Sequence, residues 1–145
     1  MSINVEPIES GSVIDHIKAG RGLKVLRILG ISEEFTGRVA LVMNVTSKAM
    51  GKKDIVKIEG IHIDEKTADK ISLIAPNASL NIVKNSKVVE KRKVVMPEVL
   101  IGVAKCPNPK CISSFESSET RFKVEKMGLR CAFCERVFQP EELLS

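Results

Sequence analysis

The chain has no tryptophan and no tyrosine, and its two histidines, His16 and His62, stand far apart. Without Trp or Tyr, and with Phe35 as the only aromatic residue before position 98, the N-terminal part offers no base-stacking surface of the kind that holds single-stranded nucleic acid. With so few histidines and no nucleophile beside a paired base, a zinc enzyme or a covalent-catalysis site is disfavoured. No apolar run is long enough to span a bilayer, and the N-terminus lacks the charged start and apolar core of a secretory signal, so a cytoplasmic location is expected.

Charge of either sign is not scarce, but its distribution is uneven. Residues 1–97 carry 16 Lys and Arg against 11 Asp and Glu, whereas residues 98–145 carry 7 against 7. The whole net charge of +5 therefore lies in the N-terminal part. Four metal-bound thiolates would leave the C-terminal part negative, the reverse of what a zinc ribbon that grips phosphate backbones needs.

The four cysteines form two pairs, Cys106-x4-Cys111 and Cys131-x2-Cys134, with 19 residues between them. That interval is long enough for a hairpin to return the second pair beside the first. In a reducing compartment such pairs are metal ligands more often than disulfides. Four thiolates close a tetrahedral shell with no position left for water, so one structural zinc ion is expected. The segment from residue 98 onward buries too little apolar surface to fold securely alone. A structural zinc supplies on the order of 10–16 kcal/mol of coupled binding and folding energy.

Ahead of the cysteines, periodicity changes several times. Gly11 to Ile17 reads as a strand and Gly20 to Gly30 as a helix, with Leu23, Val25, Leu26, Ile28 and Leu29 inward and Arg21, Lys24 and Arg27 on a solvated face. Gly30 suits its C-terminal cap. Val39 to Val45 and Asp54 to Glu59 read as strands joined by a polar turn, with Val56 and Ile58 inward and Lys53 and Lys57 sharing the other face. Asp64 caps a helix over Glu65 to Ala75 that Pro76 ends, and Ala68, Ile71, Ile74 and Ala75 face inward. A strand around Leu80 and Ile82 and another over Lys87 to Val95 follow, with the turn at Asn85 and Ser86. Beyond Pro97, short strands at Val99 to Val103, Phe122 to Glu125 and Arg136 to Phe138 punctuate the cysteine pairs.

This order predicts an α+β protein in two domains. Residues 1–97 form a ferredoxin-like antiparallel sheet with two helices on one face, one extra strand and an uncovered second face. Residues 98–145 form a small all-β zinc domain with four cysteine ligands. Lys52, Lys53, Lys57 and Lys91, with His16, are candidates for holding a phosphorylated small molecule.

Particular stretches resemble the regulatory chain of aspartate carbamoyltransferase: GSVIDHI at Gly11 to Ile17, MGKKDIVKIE at Met50 to Glu59, APNASLNIV at Ala75 to Val83, then CPNPKCIS and CAFCE around the cysteines. Their order and spacing span nearly the whole chain. The resemblance implies a non-catalytic allosteric subunit that binds nucleoside triphosphates, CTP and ATP, and relays the event to separate catalytic chains. It implies pairing of regulatory chains through their N-terminal domains, and three such dimers bridging two catalytic trimers. Carried over position by position, His16 and Lys91 would meet the triphosphate with Lys53 close by, and Asp15 and Lys57 the ribose and base. Val5, Ile8, Val13, Asn81, Val83 and Val88 would line the base pocket. Asn108 and Glu135 match positions at the contact with the catalytic chain. Ser86 stands where the family can bear a Tyr beside the base, and Lys110 replaces the second Asn of the cysteine loop.

Overall fold

The computed structural model describes residues 9–115 and 119–144. Nine strands and two α-helices follow one another as β1 (Gly11–Lys18), α1 (Gly22–Ile28), β2 (Val39–Ser47), β3 (Gly51–Glu59), α2 (Glu65–Ser72), β4 (Ser79–Lys84), β5 (Lys87–Lys93), β6 (Val99–Ile101), β7 (Arg121–Glu125), β8 (Gly128–Cys131) and β9 (Val137–Phe138). Short 3₁₀ turns at Ile112–Ser114 and Pro140–Leu144 complete the second half.

The first sheet is antiparallel in the order β2-β3-β1-β4-β5. This is the expected ferredoxin-like order with β5 added at one edge. Alternation along the strands sends Ile14, Val56, Ile58, Leu80 and Ile82 to one face, where they pack against Val25 of α1 and Ala68 and Ile71 of α2. A second sheet, β6-β7-β8-β9, carries its own core around Leu100, Phe122, Leu129, Cys131 and Phe138. Leu73, at the end of α2, is 2% exposed and lies in that second core, so the two lobes share a seam.

Both helices are shorter than the apolar pattern indicated. α2 starts as expected, with the Thr67 amide donating to Asp64 Oδ1 at 2.8 Å. It loosens after Ser72, where the Leu73 and Ile74 amides bond only three residues back. α1 begins at Gly22, because the amides of Gly20 and Gly22 both turn to Asp54 Oδ2, each at 2.9 Å. Its end is a Schellman cap: Gly30 has φ +74°, its amide bonds Arg27 O, and the Ile31 amide bonds Leu26 O. Leu23, expected inward, is 59% exposed: at 3.6 residues per turn it falls beside Arg27, across the helix axis from buried Val25. β5 ends at Lys93, β6 at Ile101, and β9 begins at Val137, each a little shorter than expected.

The basic side of α1 is not simply solvated. Arg21 donates to Ile74 O at 3.2 Å and lies 3.5 Å from Glu141, so it clips α1 to the second lobe.

A cysteine cluster and a lysine-bearing sheet face

The sulfurs of Cys106, Cys111, Cys131 and Cys134 all lie within 4.8 Å of one another. Cys106 and Cys134 are 3.7 Å apart, as are Cys111 and Cys131. A disulfide needs about 2.05 Å, so none is formed. A regular tetrahedron around an ion with bonds of about 2.3 Å has edges of about 3.8 Å, which matches both short separations. The four thiols therefore fit one structural metal ion.

Two loops bring the pairs together. Asn108 is buried; its side-chain oxygen accepts the Lys110 amide at 3.1 Å and its backbone oxygen accepts the Cys111 amide at 3.0 Å, which winds Cys106 back onto Cys111. In the second loop the Glu135 amide donates to Cys131 O at 2.9 Å, with Glu135 in the left-handed region at φ +62°. Lys110, the departure from the family pattern, is exposed and contributes only its amide to this turn.

The thiols differ in acidity. Burial pushes Cys106 up to about 12, and burial likewise raises Cys131. Cys111 goes the other way: burial opposes ionisation, but the Ser113 hydroxyl and amide, with the neighbouring sulfurs, hold it down to about 7. A cation must therefore expel protons as it enters, which makes metal uptake dependent on pH.

On the first lobe, the face away from the helices carries the other candidates. Strand register sets Lys57 opposite Val13, Val13 opposite Asn81, and Asn81 opposite Lys91, a single row across β3, β1, β4 and β5. Three inter-strand steps of about 4.8 Å put the ends of this row roughly 14 Å apart. Val83 lies in the next row, 7% exposed and paired with Val88, which is 58% exposed. Val5 and Ile8 lie outside the described residues. Lys52 alternates to the opposite side of β3 from Lys53 and does not join the group.

Adjacent residues of a regular strand point apart, yet Asp15 and His16 both occupy this face. A bulge explains it. The β1–β3 register shifts between Ile14 and Ile17, both of which are fully buried, and His16 has φ +58°. The two residues between the buried isoleucines are thus turned outward together. Asp15 then holds the His16 amide at 2.6 Å and Lys53 at 2.9 Å, while His16 Nδ1 lies 3.1 Å from Ser79 Oγ. Opposing effects act on the Asp15 carboxyl: burial raises it, but Lys53 and the His16 amide more than offset this and hold it below the ordinary aspartate value.

Asp54 was not among the sequence candidates. It is fully buried and accepts three backbone amides, those of Gly20 and Gly22 on Oδ2 and Asn44 on Oδ1 at 2.9 Å. A Cβ on Gly22 would come within 3.0 Å of Oδ2 and 2.5 Å of Leu41 Cδ1, so a larger residue would have to displace the Leu41 side chain and crowd the carboxylate. The site is structural: it fastens the entry to α1 and the bulge at Asn44 onto β3.

A sheet with a charged open face and a second lobe built around a closed thiol cluster define a two-lobed binding protein with a metal-clamped half, and no active-site constellation stands among the described residues. Comparison with known proteins makes this specific. Residues 3–95 match the family model for the aspartate carbamoyltransferase regulatory chain, allosteric domain, and residues 98–144 match that for its metal binding domain. The aspartate carbamoyltransferase regulatory chain of Pyrococcus horikoshii is 50% identical over 147 aligned positions, covering 99% of this chain and 97% of that protein. Those of Thermococcus gammatolerans and Saccharolobus islandicus are 48% and 49% identical, covering 98% and 97% of this chain and 96% and 91% of theirs. The chain belongs to the family of aspartate carbamoyltransferase regulatory chains. It is a non-catalytic subunit of an enzyme of pyrimidine biosynthesis and associates with the catalytic chain. No helix among the described residues is long and apolar enough to cross a membrane.

Proposed function

We propose that the outer face of the first sheet binds CTP and ATP, and that the second lobe, folded around zinc, conveys the occupancy of that face to catalytic chains. The observation that carries the reading is the row Lys57, Val13, Asn81, Lys91, bordered by Asp15, His16 and Lys53. Neither Lys57 nor Lys91 makes an ion pair with another described residue, so both ammonium groups are available to phosphate or ribose oxygens. Asp15 and Lys57 serve the ribose and base, and His16, Lys53 and Lys91 the triphosphate. Val13, Asn81, Val83 and Val88, with Val5 and Ile8, border the base, which is gripped through apolar contact and polar backbone groups. Residues 1–97 act as the effector domain and residues 98–145 as the adaptor.

Zinc is the ion that this thiol set favours, because four thiolates at about 2.3 Å suit a closed structural site without redox work. Around the cysteine loops Ile112, Phe115 and Phe133 are exposed, Phe115 at 77%. An apolar surface so placed is suited to burial against the catalytic chain, with Asn108 shaping the loop and Glu135 at its rim. Regulatory chains pair through the first lobe, and three such dimers bridge two catalytic trimers in the cytoplasm.

Coupling of about 1–3 kcal/mol between effector and quaternary state changes activity roughly 5-fold to 150-fold. The test is a calorimetric titration of the zinc-loaded chain with CTP and with ATP, repeated on the assembly with catalytic trimers while activity is followed. Saturable binding with a parallel change in activity is expected. Binding with no change in activity on assembly would remove the relay, and no binding would remove the effector site.

A further inference from the structure

A cavity of about 850 Å³ lies between the helical side of the first lobe and the loops leading to the cysteine cluster. Sites for small molecules commonly occupy about 300–1,000 Å³. The sheet stands between this cavity and the lysine-bearing outer face, so the two are separate places.

Six charged side chains line it: Lys24, Arg27, Lys70 and Lys105, with Glu119 and Glu141. The two acids already have partners that are not among the lining residues. Glu141 lies 3.5 Å from Arg21, and Glu119 lies 3.8 Å from Lys66. By contrast, the side chains of Lys24, Arg27, Lys70 and Lys105 make no ion pair or hydrogen bond with another described residue. Four unneutralised cations thus surround one concavity, where low-dielectric walls concentrate their field. Ile28, Val103 and Leu143 supply apolar wall between them.

We infer that this inter-lobe cavity binds a compact polyanion, of the class of pyrophosphate or the phosphate groups of a phosphorylated metabolite. Ammonium and guanidinium groups are the donors proteins use for phosphate oxygens, Arg through a planar fork and Lys as a point charge. Three of the four cations come from α1 and α2, and Lys105 comes from the segment just before Cys106. A bound polyanion therefore ties the lobes together, and any change in their relative arrangement alters its affinity. By reciprocity the anion then biases that arrangement.

The experiment uses pyrophosphate as probe and the metal-loaded full-length chain carrying Lys53→Gln and Lys91→Gln, which removes two cations from the outer face. Calorimetry at fixed moderate salt is expected to show one site. Adding Arg27→Gln and Lys105→Gln should weaken it at least tenfold, whereas adding Lys123→Gln and Lys126→Gln, on exposed positions of β7 and its turn, should change it less than twofold. Hydrogen exchange on the first protein should show slowed amides in residues 102–105 upon pyrophosphate addition. Absence of binding, equal loss in both added pairs, or unaltered exchange in residues 102–105 would each overturn the proposal. Circular dichroism confirms that these surface variants remain folded.

Discussion

Lys53 Nζ lies 2.9 Å from one carboxylate oxygen of Asp15 and 3.2 Å from the other, so its charge is already balanced in the ligand-free chain. Burial works to raise the Asp15 carboxyl, but the hydrogen bond from Lys53, the His16 amide and the Lys53 charge together hold it below the ordinary value. A folded value depressed in this way favours the ionised form. Its contribution to stability is therefore present above the ordinary aspartate range near 4, and it is lost as pH falls through the depressed value. For a partly exposed pair it amounts to about 0–1 kcal/mol. Lys53→Gln is expected to move the Asp15 midpoint upward in an NMR titration of the carboxyl carbon; an unmoved midpoint would show that Lys53 is not the cause.

Lys91 differs from Lys53 in having no carboxylate partner among the described residues. Lys91→Ala should weaken CTP binding about tenfold or more, with zinc content and association with catalytic chains unchanged. Lys53→Ala should have the smaller effect, because the charge it removes is already shared with Asp15. Calorimetry on both variants decides the order, and equal or reversed losses would count against the assignment of Lys91 to the triphosphate.

Asp54→Ala leaves the amides of Gly20, Gly22 and Asn44 without their acceptor in a buried setting. A loss of about 3 kcal/mol or more is expected, read from the urea midpoint of the first lobe. A shift of under 1 kcal/mol would mean that water or a repacked loop replaces the carboxylate.

Metal removal should act on the other lobe. Chelation is expected to unfold β6 to β9 while the β1–β5 amides stay protected in hydrogen exchange, and added zinc should restore the original spectrum. Metal uptake should also release protons, because Cys106 and Cys131 are raised by burial. Unchanged circular dichroism after complete metal loss would show that the apolar core of the second sheet suffices alone.

Element order was legible because the apolar period switches cleanly between two and about 3.6 along the chain, and the cysteine cluster because ligand spacing is local. Asp54 was hidden for the opposite reason. An acid in a strand reads as solvent-facing, and its three amide donors come from residues 10 to 34 positions away. The bulge did leave a trace: Ile14 and Ile17, three apart in a strand, cannot both face inward without an inserted residue. The inward reading of Leu23 failed because residues two apart on a 3.6-residue helix lie on nearly opposite sides, so burying Val25 turns Leu23 outward.

Leu73 closes the first lobe's capped helix yet is swallowed by the second lobe's core. The halves are consequently fastened at several separated points: the covalent passage through residues 94–98, this one side chain, and the ion pairs of Arg21 with Glu141 and of Lys66 with Glu119. So many separated ties leave no free hinge, and a push on either half is met by the whole seam at once.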